Sequence, residues 1–157
     1  MSERAGIELP WQVPTAAELD PELAFRLAGR TTVLIVEDDK LLRAMARRVL
    51  GGQAYRVLEA VHGVDALRVA NDATGSIDVL LTDIDMPTIG VRSMLAKLES
   101  LNPALKVIFM SGHADAELLA RGFDKGYDPF LSKPFTGLEL VAAVRDVLRD
   151  SPVKSSA

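Results

Sequence analysis

The sequence predicts an α/β fold: five parallel strands in one doubly wound sheet, flanked by five helices. Two observations predict it. Short continuous apolar runs recur between residues 31 and 150, as in strands covered on both faces. Between the runs, apolar residues return at spacings of three and four, as on the inner face of a helix. Strands alternating with helices specify a parallel sheet with helices on both sides.

The elements follow in order. Val33-Leu34-Ile35-Val36 is the first strand. Leu42, Met45, Ala46 and Val49 then share one helical face, and Gly51-Gly52 reads as the stop. Tyr55 to Glu59 is the second strand, and His62 to Asn71 a helix carrying Val64, Leu67 and Val69. Ile77 to Thr82 is the third strand. Val91 to Leu101 is a helix, closed off by Pro103. Val107 to Met110 is the fourth strand, and Asp115 to Arg121 a short helix before Gly122. Phe130-Leu131 is a short fifth strand; Pro129 beside it suits an edge, where a missing donor is tolerated. Leu140, Val144, Val147 and Leu148 stripe the last helix, whose start carries Thr136 and Glu139 at capping-box spacing. Right-handed crossovers leave few topologies open, and the flavodoxin-like order 2-1-3-4-5 is the expected one.

A chain of 157 residues with 48% apolar and 25% charged residues can bury a core and suits one domain. A net charge of −4 argues against nucleic acid as a direct partner. The absence of cysteine excludes disulfides, thiol catalysis and cysteine zinc sites. No apolar run approaches the ~20 residues of a membrane helix, so no membrane contact is expected. Met1 to Pro10 lacks the apolar core of a signal peptide, and a cytoplasmic location is expected. Residues 1–30 read as a partly disordered extension holding Trp11, Pro10, Pro14 and Pro21. One short helix fits there, with Asp20 as cap, Pro21 at its first position and Gly29 past its end. Leu23 and Leu27 would share a face that needs something to pack on. The segment reads as a tether, with a docking or dimerisation role as the sharper alternative. Residues 31–150 form the domain, and 151–157 read as a disordered tail.

Ligands of doubly wound sheets bind at the carboxyl ends of the strands. Glu37, Asp38 and Asp39 follow the first run, Asp83 and Asp85 the third, Ser111 and Gly112 the fourth, and Lys133-Pro134 the fifth. Carboxylates gathered together need a cation, and hard oxygens around a partly open site suit Mg²⁺. A lysine and a hydroxyl beside them suit phosphoryl oxygens, and a carboxylate among them can attack phosphorus. Singly, each residue has a plain use: Asp38 or Asp39 as a helix cap, Asp83 in a turn, Ser111 at a helix start, Lys133 in solvent. Their joint arrival at the strand ends is what carries the chemistry.

These residues resemble the receiver domain of bacterial two-component response regulators. The resemblance rests on Val33 to Asp39, Leu80 to Pro87, Phe109 to His113 and Phe130 to Phe135, and spans about residues 31–150. Val107 to Phe135 is most similar to the receivers of hybrid histidine kinases. The resemblance implies that Asp83 is the phospho-acceptor. It implies that Asp38 ligates Mg²⁺ directly, Glu37 acts through water, and the Asp85 backbone carbonyl supplies a further ligand. Ser111 matches the conserved hydroxyl, Lys133 the phosphoryl-pairing lysine and Phe130 the aromatic switch, with a plain core role as its other reading. The bond before Pro134 is implied to be cis, aiming Lys133 inward. The implied donor is a sensor histidine kinase or a histidine phosphotransfer protein. The implied output is an altered face of helix four, strand five and helix five, with room for a phosphorylation-dependent dimer. No enzymatic turnover beyond self-phosphorylation and autodephosphorylation is expected.

One stretch departs from the family pattern. Thr88-Ile89-Gly90-Val91 follows Met86-Pro87, placing Gly90 one residue early and Val91 near a position usually held by glycine, where φ > 0 would be unfavourable for valine. His113 and His62 read as surface residues, His113 at a helix start. Three rival readings fit the residues less well. A haloacid-dehalogenase-like phosphatase would place its paired acids after the nucleophile, whereas Glu37-Asp38 lies before Asp83. A flavodoxin-like cofactor binder needs a phosphate loop where Glu37-Asp38-Asp39 would repel phosphate. A scaffold that no longer accepts phosphate has only the altered loop in its favour.

Overall fold

A computed structural model describes residues 31–73, 75–85, 90–124 and 128–149. The proposed helix near Pro21 and the tail lie outside the described residues. The elements alternate without exception: β1 Thr32–Val36, α1 Lys40–Gly52, β2 Arg56–Ala60, α2 Gly63–Asp72, β3 Val79–Asp83, α3 Val91–Leu101, β4 Lys106–Ser111, α4 Asp115–Ala120, β5 Phe130–Ser132 and α5 Gly137–Arg149. The five strands form one parallel sheet in the order β2-β1-β3-β4-β5. This is the predicted architecture and strand order.

The sheet has two cores. Val33, Ile35, Val79, Leu81, Ile108 and Met110 point to one face, where Val49 and Leu50 of α1 and Leu140 and Val144 of α5 cover them. Leu34, Val36, Leu80 and Phe109 point to the other, against Ala66 of α2 and Met94 and Leu98 of α3. Successive residues of a strand face opposite sides, so burying both faces requires the unbroken apolar runs seen in the sequence. β1 and β3 are buried at every position. The capping box forms as its spacing predicts: Thr136 N donates to Glu139 Oε1 and Glu139 N to Thr136 Oγ1, both at 3.1 Å.

Three local features differ from the sequence reading. The third strand begins at Val79, because Ile77 spends its carbonyl on the Asn102 amide at 2.7 Å. Val91 needs no positive φ; it is a buried residue of the first turn of α3, and Gly90 caps that helix at φ −64°. Gly51 and Gly52 do not stop α1 but lie in its last turn. The chain reverses at Ala54, which takes φ 65° while Ala54 N donates to Gly51 O. A left-handed alanine is strained where glycine is not, by about 1 kcal/mol after glycine's own entropy is counted. Ala54→Gly is therefore expected to raise the melting temperature by about 2–5 °C, read by circular dichroism. A fall instead would show that the Ala54 methyl contributes more than its backbone costs.

Candidate functional site

Four loops leave the carboxyl ends of the strands and meet. Glu37 follows β1 and is fully buried. Its backbone is fixed from two sides: Glu37 N donates to Ala60 O at 3.1 Å, and Arg43 Nη1 donates to Glu37 O at 2.8 Å. Asp39 caps α1, its Oδ1 accepting from Leu41 N and Leu42 N at 2.9 and 3.2 Å. The cap role left open between Asp38 and Asp39 thus falls to Asp39, and Asp38 stays with the site. Asp83 ends β3 with 4% of its surface exposed, and its Oδ1 accepts from Asp85 N at 3.0 Å. Lys133 follows β5, anchored by donation from its backbone N to Ser111 O at 2.8 Å. Its Nζ lies 2.5 Å from Glu37 Oε1 and 3.4 Å from Asp83 Oδ2. The Lys133–Pro134 bond is cis.

Glu37, Asp38 and Asp83 each offer a carboxylate oxygen within 4.8 Å of the others. Burial, first, then the charge of Asp83 and a hydrogen bond that the protonated Glu37 donates to Asp38 push the Glu37 carboxyl up to about 7 against the opposing pull of Lys133. Burial pulls the Lys133 ammonium down, but the Glu37 bond and the charge of Asp83 outweigh it and hold the group above its ordinary range. The Lys133 ammonium pairs with Glu37 and Asp83, and with Asp38 beside them the cluster of two buried and one exposed carboxylate carries an excess of acidic groups. Hard oxygen donors with that excess fit a divalent cation such as Mg²⁺, with room for water or phosphate oxygens to complete its shell.

Ser111 ends β4, buried, one residue beyond the Met110 that pairs with Asp83. Its Oγ accepts from His113 N at 2.9 Å and keeps its own proton to donate. Phe130 lies apart from the carboxylates. Its ring packs on Phe109 and Phe123 at centroid distances of 5.4 and 5.9 Å, and Arg92 of α3 covers Phe123 at 4.6 Å. Phe109 and Phe123 are buried and Phe130 is half-buried, and both readings of Phe130 are compatible with this cluster.

The structure adds a network beyond the sequence reading. The Asp85 side chain turns away from the carboxylate trio and binds Arg121 Nη1 at 2.6 Å and His113 Nε2 at 2.7 Å, while His113 Nδ1 lies 2.9 Å from Glu117. Burial would raise the Asp85 carboxyl, but Arg121 and His113 together hold it below the usual range. The hydrogen bond to Glu117, then that to Asp85, lifts His113. His113 therefore ties the loop after β3 to the start of α4. His62 likewise acts as a cap, its Nδ1 accepting from Asp65 N at 3.1 Å. Residues 86–89 of the altered loop lie outside the described residues. Among the described residues, no helix is long and apolar enough to cross a membrane.

Comparison with known proteins agrees with this geometry. Residues 33–145 match the model of the response regulator receiver domain. The sensor kinase CckA of Brucella abortus (strain 2308) is 36% identical over 138 residues, covering 86% of this chain and 14% of that protein. The transcriptional regulatory protein PrrA of Mycobacterium bovis is 33% identical over 117 residues, covering 74% of this chain and 49% of that protein. The chain thus spans half or less of these two relatives. The crystal structure of the receiver domain of the hybrid histidine kinase CckA superposes with a TM-score of 0.62 at 32% identity, covering 74% of this chain and 98% of that one. The chemotaxis regulator CheY4 of Vibrio cholerae, at 24% identity and a TM-score of 0.65, shares the fold over 75% of this chain and 98% of its own. With its strand order, its acidic strand ends and a family match over most of its length, the chain belongs to the response regulator receiver domains of two-component phosphorelay signalling.

Proposed function

We propose that this receiver is a phospho-acceptor switch working through Asp83. The observation that carries the reading is the meeting of Asp83 with Lys133, 3.4 Å apart, inside the Glu37, Asp38 and Asp83 trio. An Asp83 carboxylate oxygen attacks the phosphorus of a phosphohistidine on a sensor histidine kinase or phosphotransfer protein. The P–O bond forms, the P–N bond breaks, and the imidazole leaves with the electron pair and takes a proton from solvent. Mg²⁺, held by Glu37, Asp38, Asp83 and the Asp85 backbone carbonyl, would neutralise charge on the transferring group. Lys133 can leave Glu37 for a phosphoryl oxygen without losing its counter-charge. Ser111 donates its hydroxyl proton to another. Drawing Ser111 toward Asp83 vacates space that Phe130 takes up, and the α4–β5–α5 face changes shape. Residues 31–150 make up this unit, with 1–30 as an extension. The protein works in the cytoplasm through protein contacts, a phosphorylation-dependent dimer among them, rather than by binding nucleic acid or membrane or by turning over a substrate.

The test is intact-mass spectrometry after incubation with acetyl phosphate. One phosphoryl adduct is expected with Mg²⁺ and essentially none in EDTA. No adduct on the folded protein, from acetyl phosphate or from a histidine-phosphate donor, would overturn the reading in favour of a scaffold.

A further inference from the structure

At the end of the sheet opposite the acidic site, a hollow of about 190 Å³ opens between α2, α3 and the loop before β3. Ala70, Ile77, Leu98, Leu101 and Leu105 form the apolar part of its wall, and the rest is polar side chain or glycine. Ile77, Leu98 and Leu105 are buried, while Leu101 stands 60% exposed at the lip. A large side chain that exposed beside an open apolar hollow is a surface suited to a further apolar group.

The chain itself arrives there. Thr32 N donates to Asp78 Oδ2 at 2.8 Å, and Asp78 N donates to Thr32 O at 2.9 Å. The entry to β1 is thus fastened to the residue next to Ile77. Thirty residues precede Thr31, and the last of them carry Leu23, Phe25 and Leu27. Leu27 is four residues from Thr31, a reach of about 13 Å when extended. Residues 151–157 hold only Val153 as a large apolar side chain. We propose that the segment around Leu23 to Leu27 seats its apolar side chains in this hollow, packing the N-terminal extension onto its own domain. The contact would order the approach to β1 without touching the phosphorylation site, and it does not depend on phosphorylation.

The chain has no cysteine, so two introduced thiols report on each other alone. In the full chain, Leu27→Cys with Leu101→Cys is expected to form an intramolecular disulfide on mild oxidation. It should do so about tenfold faster than Leu27→Cys with Leu41→Cys, whose second site is 82% exposed at the far end of the sheet. A rate equal to that control overturns the proposal, and a disulfide-linked dimer overturns it in favour of a second copy filling the hollow. Should the double variant fail to fold, amide exchange decides. Protection over residues 98–105 must fall in Leu23→Asp/Leu27→Asp relative to the unaltered protein; unchanged protection overturns the proposal.

Discussion

Asp83→Asn is expected to take no phosphoryl group and yet to be the more stable protein when metal is absent. The first half follows from chemistry: an amide oxygen is a far weaker nucleophile than a carboxylate, and the site offers no second carboxylate whose place at the end of β3 is equivalent. The second half follows from charge. Asp83 and Glu37 are buried together, with Asp38 beside them and one ammonium for all three. Neutralising Asp83 loses its attraction to Lys133 but removes repulsion from two carboxylates and the cost of holding a third charge out of water. Lys133 keeps its contact with Glu37, and the introduced side-chain amide would keep an oxygen for the Asp85 N–H. The balance is a gain on the order of 1 kcal/mol in EDTA. Mg²⁺ should reverse the order, since the unaltered protein offers the cation one more charged ligand and binding stabilises the state that binds. Thermal unfolding of both proteins with EDTA and with Mg²⁺, beside the acetyl phosphate assay, reads all of this. An adduct on Asp83→Asn would move the acceptor elsewhere. A lower melting temperature in EDTA would show that the Lys133–Asp83 pair outweighs the repulsion.

The sequence foretold most where one physical demand left one solution. β1 and β3 are buried at every position because helices cover both faces, so the unbroken apolar runs Val33 to Val36 and Val79 to Leu81 stand out at once. Glu37, Asp83, Ser111 and Lys133 were legible because a parallel sheet sends all its carboxyl ends to one rim. What stayed hidden depends on distances that only the folded chain sets. Asp38 and Asp39 are both acids beside a helix start, and nothing in their identity says which one caps it. The bond between Asp85 and Arg121 joins residues thirty-six apart in sequence, across two loops. Gly51-Gly52 invited a helix stop, but the helix gains its last turn and leaves the reversal to Ala54.

Leu81→Ala is expected to cost about 3–5 kcal/mol, in a domain whose whole stability is of the order of 5–15 kcal/mol. Leu81 is fully buried in β3, the strand that pairs with β1 on one side and β4 on the other. Its side chain enters the core shared with Val33, Ile35, Ile108, Met110 and Leu140, between α1 and α5. Truncation leaves a cavity that the paired strands cannot close, because moving β3 inward would break two ladders at once. Urea unfolding should show the midpoint falling with an unchanged slope, the sign of lost stability rather than a changed unfolded state. Leu138→Ala, at a residue of α5 that is 44% exposed, should change stability by about 0.5 kcal/mol or less. Leu81→Met keeps the volume and should cost under about 1.5 kcal/mol. Asp83 lies two residues further along the same strand. The three variants therefore separate two accounts of the site. If β3 holds Asp83 as a rigid strand, all of them accept phosphate at the native rate while folded, and only the folded fraction differs. A Leu81→Ala protein that stays folded but accepts phosphate slowly would show that packing beneath β3 sets the position of the acceptor.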